Sequence, residues 1–393
     1  MSDNKYLAGA VPVGPLKLVA LPGCEEIIKK VNDYIVEYRR DLVQEFPEKA
    51  AIHGCCEDNY IVQCELPRFG TGEAKGLLNE STRGTDLFIM VDVCNYSVTY
   101  KAFGRINHMS PDDHFQNLKR IISAVTGKAH RINVIMPFLY EGRQHRRSAR
   151  ESLDCAVAMQ ELANMGVANI LTFDAHDPRV MNAIPLHGFD NFFPSYQFML
   201  ALIDAYPDIS FDKESIVVIS PDEGAMSRAI YFANILGVDM GMFYKRRDYS
   251  QIVDGKNPIV AHEYLGDSIE GKDCIVVDDM ISSGGSMLDV ASQLKERGAR
   301  NVYICSTFGL FTDGFEKFDE YYASGLISRV ITTDLIYQQP ELLEKPWYTP
   351  AVMERYLASI IDTLNHDISI DKVRDNTYKI NKLLKHHHGK VVE

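Results

Sequence analysis

Short apolar runs alternate with amphipathic stretches along almost the whole chain. Leu16–Ala20 is an apolar run of strand length. Over 24–46 the apolar residues recur at helical spacing, with Ile27, Ile28, Val31, Ile35, Tyr38 and Leu42 on one face, which predicts a helix. Residues 86–92 place Leu87-Phe88-Ile89-Met90-Val91 between two acids and predict a buried strand. A helix is expected over 113–125. Strands over 131–137 and 169–174 flank a helix over 151–165, which Gly166 ends. The second half repeats the scheme. Strands are expected over 215–220, 239–244, 273–278, 301–307 and 329–333. Helices are expected over 224–236 and 286–297, the latter closed by Gly298.

Strands that alternate with helices imply parallel sheets covered on both faces. The chain has 393 residues, enough for two domains that each bury a core. Both halves read as nucleotide-type α/β sheets, with a boundary near 191–198. The expected division is 1–193, 194–345 and a helical tail, 346–393, with a helix over 349–365. An insertion at 48–63 stands outside the repeat.

Hydrophobic content of 46% and charged content of 24% are ordinary for a globular protein. A formal net charge of −13 opposes a general nucleic-acid or anionic-membrane surface. No apolar run approaches the ~20 residues that span a bilayer. The first residues lack the basic segment and apolar core of a secretory signal. Cysteines stand at 24, 55, 56, 64, 94, 155, 274 and 305. None forms a Cys-x-x-Cys pair, so no zinc site is expected. Cys274 and Cys305 read as small buried hydrophobes, and a reducing cytoplasm is the expected setting. His386-His387-His388 reads as part of a frayed polar end.

The most informative stretch is Cys274-Ile275-Val276-Val277-Asp278-Asp279-Met280-Ile281-Ser282-Ser283-Gly284-Gly285-Ser286. An apolar strand ends in two acids, and a Ser/Gly loop opens a helix. Backbone amides and a helix N-terminus at one point suit a phosphate. The carboxylates suit sugar hydroxyls or hydrated Mg²⁺. Together they read as a ribose 5-phosphate pocket.

Four other features fall at the carboxyl ends of strands, where open α/β sheets bind ligands. In Thr172-Phe173-Asp174-Ala175-His176-Asp177, strand alternation would put Asp174 and His176 on one side, able to hold a divalent metal or a phosphate. A satisfied surface histidine is the alternative. In Ser220-Pro221-Asp222-Glu223-Gly224, Asp222 either helps hold Mg²⁺ or caps the following helix. Two basic clusters, Arg143-Gln144-His145-Arg146-Arg147 and Lys245-Arg246-Arg247, suit a polyphosphate or form solvated faces.

A sixth piece comes earlier: Arg68-Phe69-Gly70-Thr71-Gly72-Glu73, then Glu80-Ser81-Thr82-Arg83-Gly84. With it the chain resembles ribose-phosphate pyrophosphokinase, also called phosphoribosyl pyrophosphate synthetase. Six motifs follow that family's order between about Leu16 and Tyr337: Arg-Phe-x-x-Gly-Glu, Glu-Ser-x-Arg-Gly, Arg-Gln, Asp-x-His, Ser-Pro-Asp and Asp-Asp-Met. The resemblance implies an α/β chain of two tandem type I phosphoribosyltransferase domains, each a mostly parallel sheet flanked by helices. It implies an ATP- and Mg²⁺-dependent transferase of nucleotide biosynthesis, cytoplasmic and homo-oligomeric (a hexamer or dimer-based), with the ATP site shared between subunits. Phe69 would stack on a neighbour's adenine, with Thr71 and Glu73 nearby. Arg143 would close the ring's other side and Gln144 would touch phosphates. His176, Asp174 and Asp222 would lie at Mg²⁺–ATP. Lys245 and Arg247 would belong to a mobile loop, continuing through 248–256, that closes on the transferred group. Asp278 and Asp279 would hold ribose hydroxyls, and Ser282, Ser283, Gly284, Gly285 and Ser286 would cradle the 5-phosphate.

The chain departs from the family at several points. Ser282-Ser283-Gly284-Gly285-Ser286 replaces Asp-Thr-x-Gly-Thr. Thr71 stands where Asn or Asp is usual, and Asp177-Pro178-Arg179 replaces a Gln-Gly-Phe-Phe run. No Asp follows Arg143-Gln144. Three alternatives remain: a non-catalytic regulatory homologue, a phosphoribosyltransferase that consumes the diphosphorylated sugar, and a nucleic-acid-binding α/β module, which the net charge opposes.

Overall fold

The computed structural model describes residues 9–247 and 259–391, with the backbone alone at 245–247, 259–262 and 388–391. The chain divides into two compact units. The first holds the residues up to Phe193, with Leu335–Tyr337 and Met353–Asp375. The second holds Pro194–Asp334, Gln338–Val352 and the residues from Asn376 onward.

The first unit is built on a five-stranded parallel sheet, in the order Leu16–Ala20, Asp86–Met90, Arg131–Ile135, Asn169–Phe173, Gly188–Phe192. Asp86–Met90 is buried throughout, as a strand covered on both faces requires. Its leading acid is compensated: Asp86 accepts from Arg131 Nε and Nη2, each at 2.8 Å, and from Asn133 and Asn365. The helix Glu25–Glu45 carries Glu25 and Glu26 at its positive end and buries Ile28, Val31, Ile35 and Leu42. It packs against the helix Glu354–Asn365. The helix Pro111–Val125 opens on a reciprocal cap between Ser110 and Asp113. The 48–63 stretch lies along the sheet edge, where Leu18 N donates to Tyr60 O at 2.9 Å and Val62 N to Leu18 O at 2.8 Å.

The second unit has a seven-stranded sheet, in the order Ile259–Leu265, Asp239–Arg247, Ile216–Ser220, Asp273–Ile281, Val302–Gly309, Arg329–Thr333, Tyr348–Ala351. Only the Ile259–Leu265 pairing is antiparallel. One face packs on the helix Gly285–Glu296 together with Phe311, Phe318 and Trp347. The other packs on Ser195–Ala205, Met226–Leu236 and Thr377–Val391.

The chain beyond residue 345 is not a separate tail. Tyr348–Ala351 completes the second sheet, Glu354–Asn365 belongs to the first unit, and Thr377–Val391 packs on the second. The helix expected over 349–365 starts only at Glu354, because Thr349 and Pro350 pair in register with Ile331 and Thr332. The end of the chain is not frayed at His387 either. Its ring is buried, with Nε2 2.7 Å from the carbonyl of Ile209.

Candidate active site

The Asp-Asp strand is the centre of the second sheet. Residues 273–277 of Asp273–Ile281 are buried, and the strand pairs with Ile216–Ser220 on one side and Val302–Gly309 on the other. Its carboxyl end carries Asp278 opposite Ser306. Asp279 is buried, and Asp278 is partly exposed. Asp278 Oδ1 accepts from the Asp279 amide, and Asp279 Oδ1 from the Met280 amide, both at 2.9 Å. Arg228 Nη1 lies 3.5 Å from Asp278 Oδ1. Burial and the adjacent Asp279 hold the Asp278 carboxyl well above the usual carboxylate range, although Arg228 pulls it down.

The turn that follows depends on one glycine. Gly284 has φ +86° and precedes the helix Gly285–Glu296. A Cβ there would lie 2.4 Å from ring atoms of Phe318. The loop is fixed from the next strand's exit, with Leu310 N donating to Ile281 O at 2.8 Å and Thr312 N to Ser282 O at 3.0 Å. Ser283, Gly285 and Ser286 are exposed and Ser282 partly so. A helix N-terminus leaves its first amides without intrahelical acceptors and favours an anion. The predicted phosphate loop therefore lies beside the two carboxylates.

The chemistry of the donors can be tested against Mg²⁺. Among the described residues, Arg228 is a cation set against the crowded pair, at Asp278. Mg²⁺ takes oxygen ligands and ordinarily sits on one or two carboxylates together with substrate phosphates, so Asp278 and Asp279 fit it. Among the described residues, no group of three or more His, Cys, Asp or Glu forms a protein cage for a metal.

Asp222 is engaged by the backbone. Its Oδ1 accepts from Gly224 N at 2.9 Å and Ala225 N at 3.3 Å, just before the helix Met226–Leu236. These bonds make a turn ahead of that helix, whose N-cap is Ala225 with no side-chain cap bond, so Asp222 is not its capping residue. The strand expected over 239–244 runs on to Arg247 and pairs antiparallel with Ile259–Leu265, so Lys245 and Arg247 lie on a strand. Their side chains, and the loop expected over 248–256, are outside the described residues.

In the first unit the strand geometry that would set Asp174 and His176 on one side does not persist. The strand stops at Phe173, and Asp174 turns to φ +42°. Alternation ends there, leaving Asp174 buried and His176 exposed. His176 has a neighbour that the sequence pattern did not single out. The His145 ring stands 5.3 Å from it, centroid to centroid, and His145 Nε2 is 3.5 Å from Asp177 Oδ2. Arg179 grips Asp177 through Nε and Nη2 and holds its carboxyl down to about 2. The only sequence signal for this group was the presence of its members within quoted motifs. Arg228, beside Asp278, gave none.

Arg143 is exposed, whereas the Gln144 side chain donates to Ser152 O at 2.9 Å and braces its own loop. Phe69 is 55% exposed at the tip of a tight turn, where its N donates to Glu73 O at 2.7 Å. Thr71 Oγ1 donates to Glu73 Oε2 at 3.0 Å. A cleft of about 480 Å³ lined by Gly76, Gln116, Lys119, Arg120 and Ser123 contains none of the candidate residues.

Comparison with known proteins follows the same division. Residues 16–166 match the N-terminal domain of ribose phosphate pyrophosphokinase, and residues 195–345 match the phosphoribosyl transferase domain. Ribose-phosphate pyrophosphokinase of Vibrio parahaemolyticus is 31% identical over 311 residues, covering 78% of this chain and 88% of that one. The Shewanella oneidensis protein of the same name is 31% identical over 309 residues, covering 77% and 88%. The fold is similar to that of phosphoribosylpyrophosphate synthetase from Mycobacterium smegmatis, with a TM-score of 0.69 and 23% identity over 90% of this chain and 99% of that one. Two phosphoribosyltransferase-type sheets, one ending in an acidic pair beside a glycine-dependent turn, therefore go with sequence identity along most of the chain, and the chain belongs to the ribose-phosphate pyrophosphokinase family.

Proposed function

We propose that the protein is a ribose-phosphate diphosphokinase, which moves the β,γ-diphosphoryl group of ATP to the 1-hydroxyl of ribose 5-phosphate. The observation that carries this reading is the Asp278–Asp279 pair set beside the Gly284 turn at the end of a central strand. The acidic pair suits vicinal hydroxyls, and the turn and helix N-terminus suit the 5-phosphate. The 1-hydroxyl oxygen bonds to the β-phosphorus. The bond from that phosphorus to the α,β-bridging oxygen breaks, the oxygen leaves with AMP, and the hydroxyl proton passes to solvent. No covalent enzyme intermediate is needed, so catalysis is positioning and charge stabilisation. Mg²⁺, when bound, offsets the polyphosphate charge. Asp278 and Asp279 fix the sugar ring, Lys245 and Arg247 meet charge on the transferred group, and His176, Asp174 and Asp222 lie on the ATP side. Phe69, Thr71 and Glu73 of one subunit approach the adenine of a neighbour, with Arg143 and Gln144 on the nucleotide's own subunit. The assembly is a homo-oligomer. All eight cysteines are free thiols, which supports a reducing cytoplasm.

The test is incubation with ATP, Mg²⁺ and ribose 5-phosphate. AMP and phosphoribosyl diphosphate should appear in equal amounts, and EDTA should stop both. ADP in place of AMP would show the reaction class to be wrong. Turnover of phosphoribosyl diphosphate with a nucleobase, and none with ATP, would indicate a phosphoribosyltransferase. Nucleotide binding without any turnover would indicate a regulatory homologue.

A further inference from the structure

In the first unit the strands Thr99–Ala102 and Arg105–His108 form an antiparallel hairpin with Ala102 opposite Arg105. Its two-residue turn is Phe103-Gly104, with φ of +50° and +73°. Such a turn favours Asn-Gly or Asp-Gly. A left-handed backbone is strained for a bulky residue, yet Phe103 holds its ring 79% exposed, more than any other described aromatic. Ile106, opposite Lys101, is 75% exposed.

The hairpin is braced against the loop that carries Phe69. Phe103 N donates to Gly70 O at 2.8 Å. The Arg68 guanidinium lies 4.1 Å from the centre of the Tyr100 ring, and its Nη2 is 3.3 Å from Asp113. Phe103 is thus fixed beside the loop that carries Phe69, and Ile106, paired with Lys101, lies on the hairpin face opposite Tyr100. No Asp or Glu occurs between Tyr96 and Met109, while Lys101 and Arg105 flank the turn. The chain as a whole carries −13.

We infer that this hairpin docks on a second copy of this chain, with Phe103 as its anchor. A basic apolar tip fits an acidic surface, and another copy of a −13 chain offers one. The same net charge opposes approach to nucleic acid or to an anionic membrane. The hairpin turn is also hydrogen-bonded to the loop of Phe69, which in the reading above enters a neighbour's nucleotide site. The inference rests on that reading for the nucleotide, and on the hairpin's own geometry and charge for the docking. Release of the hairpin withdraws Phe69 as well.

Phe103→Asn tests this in the full-length protein, because Asn suits the turn and folding is not put at risk. Ile106→Asp is the second variant. Mass is measured by sedimentation across a dilution series, in low and high salt. The wild type should be larger than one chain, and both variants should dissociate at roughly tenfold higher concentration or more, as for loss of an interface anchor. The melting temperature of Phe103→Asn should not fall, and salt should loosen the wild-type assembly. In the range where assembly is partial, KM for ATP should rise and KM for ribose 5-phosphate should stay the same. A wild type that sediments as a single chain, or variants that assemble as it does, overturns the inference. So does hairpin-dependent binding to phosphatidylserine vesicles or single-stranded DNA with no change in mass. The mass readout needs no turnover. A protein that assembles through the hairpin but makes no AMP would sink the catalytic reading alone, and an active enzyme indifferent to both substitutions would sink the docking alone.

Discussion

Arg39 on the helix Glu25–Glu45 donates through Nε to Asp362 Oδ1 at 2.9 Å, on a helix more than three hundred residues later, and both side chains are buried. Arg39 also reaches Asn365 Oδ1 at 2.6 Å. His366 completes the group, with Nδ1 2.8 Å from the Asp362 carbonyl and 3.4 Å from its carboxylate.

This cluster predicts a pH dependence. Burial works against the His366 charge, but Asp362 and Cys55 outweigh it and push the pKa up to about 9. A pKa raised above the unfolded value of ~6.5 gives stability that is complete below about pH 6.5 and lost as pH rises through about 9. The loss is on the order of 3 kcal/mol. Burial opposes the Asp362 charge too, yet Arg39 and His366 hold its carboxyl below the usual range, so a second loss sets in at acid pH. Calorimetry from about pH 6 to about pH 10 should show the melting temperature falling across the upper window. Asp362→Ala should lower stability by roughly 3–5 kcal/mol and flatten that upper slope.

Asp278→Asn should stabilise the protein without ligands while damaging catalysis. The substitution removes one of two crowded carboxylates whose charged forms disfavour each other. A gain of roughly 0.5–2 kcal/mol is expected by chemical denaturation, together with a higher KM for ribose 5-phosphate. A variant that loses stability would mean that Arg228 outweighs the repulsion.

Lys245→Ala or Arg247→Ala should lower kcat by roughly 10²–10³ with little change in KM, as for loss of a preorganised charge-stabilising donor. A rise in KM alone would assign these residues to ordinary ground-state binding.

Nucleotide choice should be loose. Thr71 offers one hydroxyl, and it already donates to Glu73, which leaves fewer polar groups to go unpaired against a wrong base. GTP should support measurable turnover, below that of ATP. A preference for ATP beyond about 10⁴ in kcat/KM, the level reached by fully hydrogen-bonded sites, would place the discrimination in other residues.

The second unit was the more legible in sequence. Its central strand announces itself as an apolar run ending in Asp278 and Asp279, and Gly284 does what its position suggests. Three features were not legible, each for a physical reason. The reversal of backbone sense at Asp174 ends a period-two pattern that the residue types continue. The 99–108 hairpin has a Phe-Gly turn in place of the usual signal. The partners of Arg39 lie beyond any local window, since burial of a charge depends on a distant helix.

The interleaving of the two units has a consequence for biosynthesis. The first unit includes Met353–Asp375, so its sequence is not complete on the ribosome until the whole of the second unit's sheet has been translated. At ~5–20 residues per second, roughly ten seconds or more separate emergence of the first sheet from arrival of its closing helix. During that interval the Arg39 guanidinium has no Asp362 to meet. The half of the chain made first is therefore the half that finishes folding late, and a nascent chain stopped before residue 353 would hold an open first unit for chaperones to guard.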